Sequence, residues 1–83
     1  MDVVELARIS SALISALDEA RALIASGALG TELSELLRHA RELHALLLED
    51  LADPQTGEFA ARLANVFNAR IEGVEALFRG KLQ

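Results

Sequence analysis

Residues 51–57 read Leu51-Ala-Asp-Pro-Gln-Thr-Gly57, and this short stretch decides how the chain is divided into helices. Pro54 is the only proline of the sequence, and a proline disfavours helical backbone at the residue before it. Gly57 adds a second residue that is common in turns. We therefore predict that one helix stops by Ala52 or Asp53 and that the next one starts after Gly57.

The segment upstream of this loop predicts a helix over about residues 32–52. Thr31 is the expected N-cap, and the acidic residues that follow it favour the positive end of the helix dipole. The apolar residues form an arc of roughly 140° around this helix. They are Leu33, Leu36, Leu37, Ala40, Leu43, Leu47, Leu48 and Leu51. Leu46 lies outside the arc.

The segment downstream of the loop predicts a helix over about residues 58–79, closed by Gly80. Its apolar arc is again roughly 140° wide. The arc contains Phe59, Leu63, Val66, Phe67, Ile71, Val74, Leu77 and Phe78. Arg70 points into this arc, so its guanidinium either extends to solvent from the edge of the fold or anchors a partner chain.

The N-terminal segment predicts a helix over about residues 2–26. Asp2 and Glu5 form an acidic variant of the capping box, and Gly27 suits the left-handed position after a helix. A seam of apolar residues follows a spacing of three and four: Leu6, Ile9, Leu13, Ala16, Ala20 and Leu23. Ile14, Leu17 and Ile24 widen the apolar arc to roughly 180°, more than two neighbouring helices are expected to cover.

Three helices of similar length joined by short loops predict an all-α fold. We expect a single domain over residues 1–83, an antiparallel up-down-up three-helix bundle. The apolar surface left over on the first helix indicates that oligomerisation or a partner helix completes the bundle.

Composition excludes several classes of protein. The chain has 83 residues, no cysteine and a net charge of −5. The absence of cysteine excludes disulfides and thiolate chemistry, and the negative charge disfavours nucleic acid as a partner. No apolar run is long enough for a membrane span, and the start of the chain has no basic region typical of a secretory signal. Seven arginines against one lysine suggest a GC-rich bacterial source.

The polar residues predict no catalytic, cofactor or metal site. His39 and His44 are five residues apart and do not share a helix face, whereas histidine ligands on a helix are three or four apart. The serines have no histidine and acid at a recognisable spacing, and no phosphate-binding glycine loop occurs. His44 lies within the apolar arc of its helix, where it is either a buried hydrogen-bonded imidazole or a pH-sensitive joint in an interface.

Two blocks of sequence resemble the flagellin-export chaperones of the FliS type. Asp18-Glu-Ala-Arg-Ala-Leu-Ile-Ala-Ser-Gly27 is similar to the end of a helix in that family. Leu51-Ala-Asp-Pro-Gln-Thr-Gly-Glu-Phe-Ala-Ala-Arg-Leu-Ala-Asn-Val-Phe67 resembles the family's Leu-Asp-Pro, Gly-Glu-Ile-Ala and Asn-Leu segment. The resemblance spans about residues 9–75, the middle three helices of that fold. Ser10-Ser11-Ala12 departs from the family's Tyr-Asp-Gly.

This resemblance implies a cytoplasmic, non-enzymatic chaperone that binds amphipathic helices of an export substrate. Similar helical chaperones of the FliT type and of type III secretion remain alternatives. The candidate partner-binding residues are Ile14, Leu17, Ile24, Leu46, Val66, Phe67, Arg70, Val74 and Phe78. Some of them must form the core, and the sequence does not divide the two groups.

A different class of function fits the same composition, namely a helical structural or dimerisation module that binds only itself. In that case the apolar surface would be covered by a second copy of the chain. The two hypotheses differ in oligomeric state, since a chaperone without its substrate is expected to expose apolar surface.

Overall fold

Three α-helices make up the fold in the computed structural model, which describes residues 1–83. They are α1 (Val3–Ser26), α2 (Thr31–Glu49) and α3 (Gly57–Leu82). The helices run up, down and up, each helix contacts both others, and the bundle measures 44 × 19 × 15 Å. The predicted all-α three-helix bundle is thus confirmed. No helix combines the length and the uninterrupted hydrophobicity that a bilayer-spanning segment requires.

The capping of α1 agrees with the prediction at Asp2 and Gly27, but the second half of the predicted capping box is absent, because the Glu5 carboxylate accepts from Arg8 at 3.3 Å and not from the backbone N–H of Asp2. The Oδ1 atom of Asp2 accepts a hydrogen bond of 2.8 Å from the backbone N–H of Glu5. Gly27 has a φ of 80°. Its backbone N–H donates to the carbonyl oxygen of Ile24 at 3.1 Å, and the backbone N–H of Ala28 donates to the carbonyl oxygen of Leu23 at 2.8 Å. A left-handed glycine with this pair of bonds satisfies the last carbonyls of the helix and turns the chain towards α2.

The predicted N-cap of α2 was wrong by one residue. Gly30, in an extended conformation, occupies the cap, and Thr31 is the first helical residue. The carbonyl oxygen of Gly30 already accepts from the backbone N–H of Ser34 at 3.3 Å. Glycine has no side chain that could accept from the free N–H groups of the first turn, and no other side chain caps this end of the helix.

α2 ends at Glu49, three residues before the predicted end, and α3 begins at Gly57. Residues 50–53 continue as tight turns, in which the N–H of Asp53 donates to the carbonyl of Asp50 at 3.1 Å. A Cβ atom on Gly57 would overlap the carbonyl oxygen of Leu51, so the two chain segments touch backbone to backbone. This close crossing requires glycine and forces the helix to end early.

α3 continues to Leu82 rather than stopping at Arg79. Gly80 keeps a negative φ and so does not adopt the left-handed conformation with which a glycine commonly ends a helix. Arg79 and Lys81 lie in the last turn, where positive charge favours the negative end of the helix dipole.

The core consists of one apolar strip from each helix. Its largest fully buried side chains are Leu6, Leu13, Leu33, Leu47, Ile71 and Val74. The wide arc of α1 is mostly absorbed by the core, because Leu17 and Ile24 are buried and only Ile14 of the widening residues is exposed. The expected surplus of apolar surface on α1 is therefore small.

Gly57 and Gly73 provide a matched test of this packing. Gly57→Ala should destabilise the fold by about 1–3 kcal/mol, because the new Cβ atom has no room. Gly73→Ala should stabilise it by about 1 kcal/mol, since this helical position is open and alanine favours helix. Urea unfolding followed by circular dichroism measures both effects. Equal stability of the two variants would contradict the tight crossing.

Candidate functional site

Four of the candidate contact residues belong to the core and are corrected accordingly. They are Leu17, Ile24, Phe67 and Val74, all at most 4% exposed. Phe78 is half-buried against the same core. Because these side chains fill the space between the helices, none of them offers a free contact to a partner without opening the bundle.

The other candidates remain on the surface. They are Ile14, Leu46, Val66 and Arg70. Leu46 lies on the outer side of α2, roughly 120–160° around the helix from the buried Ala40 and His44. It is therefore separated from Val66 and Arg70, and the structure does not bring it into their surface.

The flank of α3 that faces α2 is identified by an ion pair. Arg41 of α2 donates to Oε1 of Glu75 at 2.7 Å and to Oδ1 of Asn68 at 3.2 Å. Phe59, Leu63, Val66, Arg70 and Leu77 lie roughly 120–180° around α3 from these two partners. Their flank of α3 therefore borders α1.

Ile14 and Val3 line the facing side of α1. α1 runs parallel to α3 and antiparallel to α2. Since α1 is right-handed, this arrangement places Val3 and Ile14 on the flank of α1 that faces α3, and Ala12 on the opposite flank, which faces α2. The hydroxyl of Thr56 lies 2.9 Å from the carbonyl oxygen of Met1, a sequence separation of 55 residues. The two parallel helices thus start at the same level, and Ile14 lies about level with the turn between Val66 and Arg70.

Together these residues form one apolar surface, which we call the α1–α3 groove. It consists of Val3, Ile14, Phe59, Leu63, Val66, Arg70 and Leu77. Leu63 is half-buried, and the five other apolar members are each more than 40% exposed. No enclosed pocket for a small ligand occurs in the molecule, so this surface is open.

Sequence reasoning placed Phe59 and Leu77 in the arc of α3 but did not select them as contacts. The signal that identifies them is a second row at spacings of four and three, residues 59, 63, 66, 70, 73 and 77, in which every residue except Arg70 and Gly73 has an apolar side chain. The buried row 60, 64, 67, 71, 74 and 78 has the same spacing, shifted by one residue. α3 therefore carries two adjacent seams of which the bundle buries one.

Arg70 lies next to the core rather than away from it. Its guanidinium carbon is 6.0 Å from the ring centroid of Phe67, while the rest of the side chain is exposed. At this distance the aromatic ring attracts the cation weakly.

His44 is buried and hydrogen-bonded, the simpler of the two interpretations of the sequence. Its Nε2 atom lies 2.9 Å from the carbonyl oxygen of Ala64 on α3 and donates to it. The imidazole lies between α2 and α3 and does not reach the groove. No three His, Asp or Glu side chains converge into a potential metal site.

A second polar cluster joins the N-terminus to the loop between α2 and α3. The ammonium group of Met1 donates to Oδ1 of Asp50 at 2.8 Å and to Oδ2 of Asp53 at 3.2 Å. The hydroxyl of Thr56 lies 2.7 Å from Oδ2 of Asp50, so its one proton is shared between this oxygen and the carbonyl of Met1. We call these four residues the N-terminal clasp.

The clasp shifts the pKa of each of its ionisable groups. Backbone N–H groups of Thr56 and Gln55, with the Met1 ammonium, lower the pKa of Asp53 from 3.8 to about 2. The ammonium and the hydroxyl of Thr56 lower the pKa of Asp50, and both carboxylates raise the pKa of the Met1 amine. All three groups are fully occupied with each other, which indicates a structural role.

Comparison with protein families, with curated proteins and with solved structures finds no match for this chain. The surfaces described above are therefore the basis for any functional assignment.

The clasp predicts acid sensitivity. A carboxyl group whose pKa is lower in the folded chain stabilises the fold above the unfolded pKa of 3.8, and this contribution is lost as the pH falls towards 2. The melting temperature should fall between about pH 5 and pH 2, and Asp53→Asn should make this fall shallower. Asp18→Asn, at an exposed helical site, is the control and should keep the wild-type slope.

Acetylation of the Met1 amine should lower the melting temperature at neutral pH. The modification removes the positive charge and leaves Asp50, whose side chain is 4% exposed, without its cation. In the unmodified chain, the pKa of the amine is higher in the folded state than in the unfolded state. The amine therefore stabilises the fold below pH 8, and this stabilisation is lost as the pH rises through the folded-state pKa. If the acetylated and unmodified forms had the same melting temperature, the stabilising role of the clasp would be contradicted.

Proposed function

We propose that this chain is a small non-enzymatic chaperone or adaptor that binds an amphipathic helix of a partner protein in the α1–α3 groove. The observation that carries the proposal is the second apolar seam of α3, which the bundle leaves uncovered. A helix laid along such a seam completes a local four-helix arrangement without any change in the core.

The shape of the groove supports an elongated ligand. Val3 and Phe59 lie at one end and Leu77 near the other, about 18 residues of α3 and thus roughly 27 Å along the helix axis. A ligand helix of about five turns fits this length. Its apolar residues at spacings of three and four would lie against Ile14, Val66 and Leu77.

The resemblance to FliS-type export chaperones supports the choice of a chaperone over other binding modules. It implies a cytoplasmic, bacterial protein that keeps a flagellar export substrate from polymerising. The loop between α2 and α3 and the end of α1 are the segments that carry this resemblance. The second block, residues 51–67, also contains Phe59, Leu63 and Val66 of the groove, so the resemblance and the groove overlap on the first half of α3.

Binding to a neutral amphipathic helix tests this function. The probe is a fluorescent peptide with a leucine strip and glutamine elsewhere, and the readout is anisotropy. Val66→Asp and Leu77→Asp should each weaken binding about tenfold or more, because an apolar contact worth about 1.5–3 kcal/mol becomes a buried charge. Leu46→Asp changes an exposed leucine on α2, outside the groove, and is the control that should bind like wild type.

All three substitutions are at exposed positions, so circular dichroism should show an intact bundle in each. The proposal fails if the wild-type chain does not bind the probe. It also fails if Leu46→Asp weakens binding as much as Val66→Asp, because the groove would then not be the site.

A further inference from the structure

Four cations of this chain have no carboxylate partner. Arg8, Arg38, Arg41 and Arg62 each form an ion pair, whereas Arg21, Arg70, Arg79 and Lys81 form none. The chain has thirteen acidic and eight basic residues, so carboxylates outnumber cations. A basic side chain without a carboxylate partner is therefore unexpected.

Three of these four cations lie along the α1–α3 groove. Arg70 belongs to it already. Arg21 lies seven residues after Ile14 on the same flank of α1. Because residue 1 at the start of α1 is level with residue 56 at the start of α3, Arg21 is about level with Leu77. Lys81 lies four residues after Leu77 on the same flank of α3, level with the end of α1. The cations therefore surround the C-terminal half of the groove.

The acidic residues lie elsewhere. On α3, Glu58, Glu72 and Glu75 lie roughly 100–160° around the helix from Leu77. On α1, Asp18 alone is near, at the outer rim beyond Ile14. A ligand in the groove thus meets apolar side chains and positive charge, although the chain as a whole has a net charge of −5.

A second copy of the chain is a poor ligand for this surface. A twofold symmetric interface brings the same patch of both copies together. If two copies paired antiparallel over residues 59–77, Arg70 would lie beside Val66 of the second copy and within about one turn of the second Arg70. If they paired parallel, the two arginines would lie opposite each other. With no carboxylate in either row, like charges would repel.

We propose that the partner helix bound in the α1–α3 groove is acidic, with Asp or Glu flanking its apolar strip opposite Arg21, Arg70 and Lys81. This inference rests on the proposed function and specifies the chemistry of the partner. The apolar strip provides the contact area, and the three cations select the partner and set its orientation, since they occupy only one half of the groove.

Three fluorescent peptides with one apolar strip and with Glu, Gln or Lys at the flanking positions test the proposal. Affinity should follow the order Glu, Gln, Lys, with about tenfold or more between the first and the last at low salt. The difference should shrink in high salt because mobile ions screen exposed charges.

Charge-removing variants locate the effect. Arg70→Gln and Arg21→Gln should each weaken binding of the Glu peptide about two- to fivefold and leave binding of the Gln peptide unchanged. Arg79→Gln removes an equal charge from the other side of α3 and is the matched control, which should bind the Glu peptide like wild type. An equal loss in Arg79→Gln would overturn the proposal, since net charge alone would explain it.

The outcomes separate this inference from the function on which it rests. Equal binding of the three peptides overturns the acidic partner and leaves the helix-binding function in place. Failure of all three peptides overturns both. A dimer in light scattering that Val66→Asp dissociates overturns the proposal in favour of a second copy. Binding to vesicles of anionic phospholipid, with none to the Glu peptide, overturns it in favour of a membrane surface.

Discussion

A helix in a three-helix bundle can bury only one strip of its surface, because its two neighbours lie on the same side of it. α3 carries two adjacent apolar seams of equal spacing, and the one through Phe67 and Ile71 is buried. The seam through Phe59, Val66 and Leu77 therefore stays in water however well the bundle packs. The exposed surface follows from the sequence of one helix and not from loose packing.

The N-terminal clasp influences the whole length of the groove, although it lies at the end formed by Val3 and Phe59. By holding Met1 against Asp50 and Thr56, it fixes the level at which α1 starts relative to α3. Both walls of the groove belong to these two parallel helices, which no short loop connects directly. A slip of α1 by one turn would move Arg21 by about 5.4 Å and separate it from Leu77. The clasp thus sets the register of apolar and cationic residues along the groove.

The helices were predictable from the sequence, whereas the division of their apolar residues was not. Local signals, such as Asp2 at a helix start and Gly27 at a helix end, act within one turn and appear in the sequence directly. An apolar arc gives the buried side of a helix but not the directions of its two neighbours. Leu17 was therefore indistinguishable from Ile14, and a clasp between residues 49 positions apart has no local signal.

The overall charge of the chain favours a slender acidic ligand over a broad one. An anionic bilayer or a large acidic surface laid on the groove would also approach the carboxylates beside it, such as Asp18 on α1 and Glu58 on α3, and would be repelled by them at a Debye length of about 8 Å. A single helix, about 10–12 Å wide with its side chains, contacts the groove alone. It gains the attraction of Arg70 and Arg21 without covering these carboxylates. The negative charge around the groove thus acts against wide anionic ligands and leaves an acidic helix as the ligand that fits both the shape and the charge.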